Sequence, residues 1–213
     1  MMEENHLIRI KKILVGLLFI IMFVNVVAAD SSVSKKVNLD GEQITERSLR
    51  DGIYAFLMKH KKKQLDEQYS NHVINAFWNL LNGERTNVKE VLYFMAICSV
   101  ESNFDQNVPC KYGVGISQVV YRVHKKYITE LGVTKDEVYH SPSHNIFVGY
   151  KIFCCYLRST KGVFTKASTR YNGGATKGYA AKVQSRFQEL VSTVKSLQKR
   201  GNENEHEIYR NNS

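Results

Sequence analysis

Ten consecutive residues, VLYFMAICSV (Val91 to Val100), contain a single plainly hydrophilic side chain, Ser99. A segment this apolar on every side must be buried on most of its faces, so the rest of the chain has to wrap it. Thr86 or Asn87 can cap a helix that starts just ahead of the run and continues to about Ser102. Within it, Phe94, Ile97 and Glu101 are spaced i, i+3, i+7 and share one face. The helix therefore delivers the Glu101 carboxylate where a buried element emerges. A glutamate near a helix end is usually solvated or ion-paired, but the apolar context weakens that reading here. Partial burial penalises the charged form and raises a carboxyl pKa. A carboxyl that stays protonated near neutral pH is what a general acid requires.

The same periodicity predicts helices elsewhere. One begins near Thr45 and carries IYAFLM (Ile53 to Met58), followed by HKKKQ, read as a solvated basic turn. Val73, Ile74, Phe77, Leu80 and Leu81 form one helical face, with Trp78 beside it, stopped by Asn82-Gly83. A helix is expected from near Ile116, with Val119, Val120 and Val123, and a short helix or loop over Leu131 to His140. Ser143 is the expected cap of HNIFVGYKIFCCYLR, whose core side would be Ile146, Phe147, Tyr150, Phe153, Cys154 and Leu157. Two more helices follow, one from about Val163 to the Tyr171-Asn172-Gly173-Gly174 stop and one from about Tyr179 to Leu197. No strand alternation and no internal repeat is evident. The fold class is all-α (mainly helical), with one domain over residues 45–200.

Residues 1–29 read as a separate object. Arg9, Lys11 and Lys12 precede an apolar run, Ile13 to Ala29, and Val27 and Ala29 can be the small residues before a cut. This is the pattern of a secretory signal peptide, with an uncleaved N-terminal anchor as the competing reading. Both put the remainder outside the cytoplasm. Residues 30–44 read as a polar spacer, and residues 201–213 as a disordered tail. Removing residues 1–29 takes three basic and two acidic residues from totals of 30 and 20, leaving a net charge of +9 against +10. A basic exported domain suits an anionic extracellular polymer, a bacterial wall or a membrane surface, and export argues against nucleic acid. Cys98, Cys110, Cys154 and Cys155 allow three disulfide pairings, and sequence does not choose among them. No CxxC or HExxH is present, so no metal and no cofactor are expected.

One chemistry that needs a protonated carboxyl is glycosidic cleavage. It ordinarily needs a second carboxylate. Asp105 falls in the exit turn, with no reason to face the same bond. An N-acetyl sugar can instead stabilise C1 with its own acetamido oxygen. Two further segments bear on a sugar site. YGVGISQ (Tyr112 to Gln118) brings two glycines, where a ligand can approach backbone, and an amide at Gln118. TRYNGG (Thr169 to Gly174) puts Tyr171 and Asn172 before a Gly-Gly turn.

In this order, Glu101-Ser102-Asn103-Phe104, Gly115-Ile116-Ser117-Gln118, Arg170-Tyr171-Asn172-Gly173-Gly174 and Gly178-Tyr179 resemble the motifs of soluble-type, goose-lysozyme-like lytic transglycosylases (the SLT domain). The resemblance covers residues 88–191. It implies a lysozyme-like fold and cleavage of the peptidoglycan bond between N-acetylmuramic acid and N-acetylglucosamine, leaving a 1,6-anhydromuramyl end. It implies that Glu101 is the catalytic acid, that Ser102, Gln118 and Asn172 hold the glycan, that Tyr171 lies close to Glu101, and that Tyr179 supports the groove. Three departures bear on subsites: Ser117 replaces the family's usual Met, which packs beside substrate; the usual Pro soon after the Gln is missing; and Cys110-Lys111-Tyr112-Gly113 replaces the usual Ser-x-x-Gly approach. A muramidase hydrolysing the same bond and a non-catalytic peptidoglycan-binding assembly protein are the alternatives. A periplasmic or wall-associated role beside a secretion, conjugation or phage-entry apparatus is the implied setting, by analogy alone.

Overall fold

The computed structural model describes residues 36–83, 86–174 and 176–211, with side chains as far as residue 203. The signal or anchor reading of residues 1–29 lies outside the described residues, as does the start of the spacer. Residues 36–44 are not a spacer. They form a hairpin of β1 (Lys36–Leu39) and β2 (Glu42–Thr45), antiparallel with Val37 opposite Ile44, turning through Asp40-Gly41. An Asp-Gly pair with positive φ at both residues suits a two-residue hairpin turn. Leu39 and Ile44 are buried beneath it.

Eight helices follow among the described residues. The first three are α1 (Glu46–His60), α2 (Glu67–Leu81) and α3 (Val88–Glu101), capped by the side chains of Thr45, Asp66 and Asn87. Each cap oxygen accepts a first-turn amide that the helix itself cannot satisfy. Next come α4 (Tyr121–Glu130) and α5 (Lys135–His140), the latter with a Thr134/Glu137 capping box. Then α6 (Pro142–Ser159) starts from Ser141 rather than Ser143, because Pro142 takes the first helical position, where its missing amide costs nothing. The last two are α7 (Phe164–Tyr171) and α8 (Tyr179–Asn211). The helix α8 thus continues as far as Asn211, through most of the segment read from sequence as a tail. None of these helices is long and apolar enough to cross a membrane.

Nine consecutive residues of α3, Val91 to Ser99, are buried. The burying partners come from all sides. Phe77 of α2 and Tyr150 and Phe153 of α6 pack on Phe94, while Phe153, Phe164 of α7 and Phe187 of α8 pack on Tyr93. Removing each such side chain from water contributes about 1.5–3 kcal/mol. A smaller cluster under α4 and α5 (Ile128, Val133, Val138) joins the inner face of α6 through Val148 and Ile152.

The most extensive helix pairing is α1 with α8. It depends on Gly52, where an added Cβ would lie 2.4 Å from Val194 Cγ2 and 3.0 Å from its Cα. Gly52→Ala sets two effects against each other. Helix propensity favours Ala by about 1 kcal/mol, whereas overpacking a tight contact costs about 1–3 kcal/mol. The second should win because the clash reaches backbone. Urea denaturation is expected to show net destabilisation; a variant as stable as the parent would mean that the two helices separate freely.

Candidate active site

Glu101 is the last residue of α3, and the chain reverses immediately after it. Ser102 ends the helix, its amide donating to the Cys98 carbonyl (3.1 Å). Asn103 and Phe104 are then both left-handed, with φ of 50° and 61°. This conformation is strained for a phenylalanine. Phe104 is held there by burial, with its ring edge-on to Phe56 and Phe77.

This exit turn is tied to the YGVGISQ segment. The Ser102 hydroxyl donates to the Ile116 carbonyl (2.6 Å), and the Ile116 amide donates to Gln106 Oε1 (3.3 Å). The segment is a tight loop closed by reciprocal backbone bonds between Val114 and Val119, not a helix start; α4 begins only at Tyr121. Gln118 has a positive φ of 49°, which a helix cannot contain. Behind the loop stands Asn145, fully buried near the start of α6. Its amide donates to the Val114 and Val138 carbonyls (3.0 Å each), and its Oδ1 accepts from the Ser117 amide (2.9 Å) and hydroxyl (2.7 Å). Gly115, at φ +73°, makes room for it, since a Cβ there would fall 2.2 Å from Asn145 Nδ2. Ser117 therefore faces the core rather than a ligand.

The two tyrosines divide the remaining work. Tyr171, ending α7, donates its hydroxyl to the Ser117 carbonyl (2.8 Å). Tyr179, opening α8, donates its hydroxyl to Glu101 Oε1 at 2.5 Å. The direct partner of Glu101 is thus Tyr179, and Tyr171 acts on the loop beside it. Sequence order alone holds no signal for that assignment. Burial pushes the Glu101 carboxyl above the ordinary value of 4.5, and the Tyr179 hydrogen bond and the Lys182 charge pull part of that shift back. Burial and the nearby carboxyl in turn raise Tyr179, so it stays a donor. Asp105 is buried, with Oδ2 on Lys62 (2.7 Å) and Oδ1 on the Asn107 amide (2.8 Å). Both of its oxygens are engaged, one by Lys62 and one within the exit turn.

The model of the transglycosylase SLT domain family matches residues 82–190, a span that holds α3, the glycine loop, both tyrosines and Glu101. The chain belongs to that family. No curated protein and no solved structure matches it. The SLT domain is a lysozyme-like all-α fold, and its function in general is lytic transglycosylase-type action on peptidoglycan.

Within this SLT domain, Glu101, Tyr171 and Tyr179 converge with the glycine loop. Ser102 is buried, and its hydroxyl is committed to Ile116. Half-buried Gln118 folds back, its Nε2 donating to the Gly115 carbonyl (2.9 Å). Asn172 caps α7, and its Oδ1 accepts the Thr176 amide (3.2 Å). Asn145, Gln106, Tyr69 and Lys62 are the participants that sequence reasoning missed. A lone Asn opening an apolar helix was the available signal for the first. Among the described residues no group of acidic, His and Cys side chains could hold a metal ion. A cavity of about 980 Å³ runs along α8 past Gln184, Gln188 and Lys195, apart from this site.

Because the Tyr179 hydrogen bond favours the carboxylate, Tyr179→Phe should raise the Glu101 pKa further. Removing the cation in Lys182→Met should act in the same direction. Carboxyl ¹³C titration by NMR reads both changes directly. A downward shift in either variant would contradict this account of the site's electrostatics.

Proposed function

We propose that this chain is an exported lytic transglycosylase that cleaves the β-1,4 bond between N-acetylmuramic acid and N-acetylglucosamine, with Glu101 as both acid and base. One observation carries the reading: a single carboxyl, raised by burial and oriented by Tyr179, beside an Asp105 whose two oxygens are engaged. Two-carboxylate mechanisms need a second group free to act at C1.

In this mechanism protonated Glu101 donates to the bridging oxygen as the C1–O bond breaks. The muramyl acetamido oxygen stabilises C1 in place of a protein nucleophile. The resulting Glu101 carboxylate accepts the proton of the C6 hydroxyl as that oxygen bonds to C1. The ring closes to a 1,6-anhydro sugar, no water is consumed, and Glu101 returns to its starting state. Tyr179 orients the carboxyl, and its hydrogen bond stabilises the charged intermediate state of Glu101. Ser102 and Tyr171 fix the Ile116 and Ser117 carbonyls, Asn172 offers its side-chain Nδ2 to the glycan, and Gln118 would have to release the Gly115 carbonyl to offer its own. The positive net charge of the chain suits an anionic wall polymer. Local wall opening beside a secretion, conjugation or phage-entry apparatus is the setting we propose, by analogy alone.

The test is purified protein on intact peptidoglycan sacculi, with Glu101→Gln in parallel and soluble muropeptides analysed by mass. Products one water lighter than hydrolytic ones are expected, with the rate falling by at least about 10²-fold in Glu101→Gln. Ordinary reducing ends would make the protein a muramidase. Binding to sacculi without release would make it a wall-binding protein.

A further inference from the structure

The run HKKKQ (His60 to Gln64) has no place in the mechanism above, and it lies upstream of the family match. It is not a solvated turn. His60 is buried and meets Glu189 of α8 (3.0 Å), which Lys59 also reaches (2.6 Å). The Lys61 ammonium donates to the Leu65 carbonyl. Lys62 does more: its ammonium pairs with Asp105 (2.7 Å), and its backbone amide donates to the Asn103 carbonyl (3.2 Å). One turn into α2, Tyr69 donates its hydroxyl to the Phe104 carbonyl (2.9 Å) and accepts the Gln106 amide at the same oxygen (2.9 Å). The two consecutive left-handed residues, Asn103 and Phe104, are thus gripped at both carbonyls, by Lys62 between α1 and α2 and by Tyr69 in the first turn of α2.

We propose that Lys62 and Tyr69 are positioning residues for Glu101, holding the Asn103–Gln106 turn so that the carboxyl leaves α3 toward Tyr179 and the glycine loop. Two non-glycine residues side by side in the left-handed region are strained and persist only when their surroundings over-determine them. Lys62 and Tyr69 supply that over-determination through charge-assisted and neutral hydrogen bonds. Gln106, whose amide Tyr69 accepts, passes the constraint on: its side chain holds the Ile116 amide and the Tyr139 carbonyl (2.7 Å). A relaxed turn would move the carboxyl and the loop together. The role comes from outside the matched segment, so this chain's N-terminal helices belong to its active-site scaffold.

The inference rests on the proposed reaction, and its test separates the two. Tyr69→Phe and Lys62→Met are compared with Lys62→Arg and with Lys63→Met, the latter altering an exposed neighbour that forms no ion pair among the described residues. On soluble glycan strands, kcat should fall roughly tenfold to a hundredfold in the first two with KM unchanged. Lys62→Arg should restore most of it, and Lys63→Met should match the parent. Unchanged kcat in folded Tyr69→Phe and Lys62→Met overturns the proposal, as does a loss that follows only the folded fraction by circular dichroism. If the parent protein releases no product, the proposed reaction is what fails, and Glu101 titration by ¹³C NMR takes over as the readout. A displaced titration in both variants then supports the positioning role, and an unmoved one overturns it.

Discussion

A helix with no polar face cannot meet water along its length, and α3 is such a helix. Its burial from Val91 to Ser99 determines the surrounding architecture, because α2, α6, α7 and α8 must each contribute apolar side chains to cover a different side. The polarity of the chain returns only at its C-terminal end, at Glu101. The desolvation that stabilises the core is therefore the same desolvation that raises the Glu101 carboxyl. Core formation and acid tuning are not separate achievements here. Any change that lets water along α3 would loosen the packing and lower that carboxyl together.

The polar half of the site follows the opposite rule. Its loops are irregular, so their backbone groups need individual partners. Ser102 and Gln106 take the two sides of Ile116, Asn145 takes the Val114 carbonyl and the Ser117 amide, and Tyr171 takes the Ser117 carbonyl. No buried side-chain nitrogen or oxygen among the described residues is left without a partner. Fully satisfied networks of this kind rigidify what they enclose. On the mechanism proposed above, a carboxyl that meets a bridging oxygen and then a hydroxyl within one sugar needs such a frame.

The sequence reads best where packing imposes a long period. The apolar face of α2, the continuous run of α3 and the inner side of α6 were all visible, and so were the Asn87 cap and the ordered Glu, Gly-loop and Tyr-Asn motifs. The hairpin was not, because four-residue strands are too short to display alternation. The helix expected from Ile116 failed because Gln118 adopts a left-handed conformation imposed by the Val114–Val119 pairing and by Asn145, all tertiary effects. Ser102 has the chemistry of a ligand-holding residue, but only the fold reveals that its hydroxyl is turned inward. The exchange between Tyr171 and Tyr179 is of the same kind, since motif order holds no distances. His60 and Lys62 looked solvated because their acidic partners, Glu189 and Asp105, are far away along the chain.

The pairing of α1 with α8 also governs when the site can exist. Thr45 donates its amide to Gln198 Oε1 across 153 residues of sequence, and the hairpin is pinned to the same helix by Lys195 and Glu42. Contacts of such long separation carry a large loop-closure cost. A growing chain can bury much of α3 against α2 and α6 beforehand, yet Tyr179 arrives only with the helix that closes the domain. During synthesis the Glu101 carboxyl therefore lacks its orienting partner until Tyr179 has been added. Partly synthesised or partly unfolded chains would carry an incomplete site, which makes the order of assembly a built-in delay on whatever that site can do.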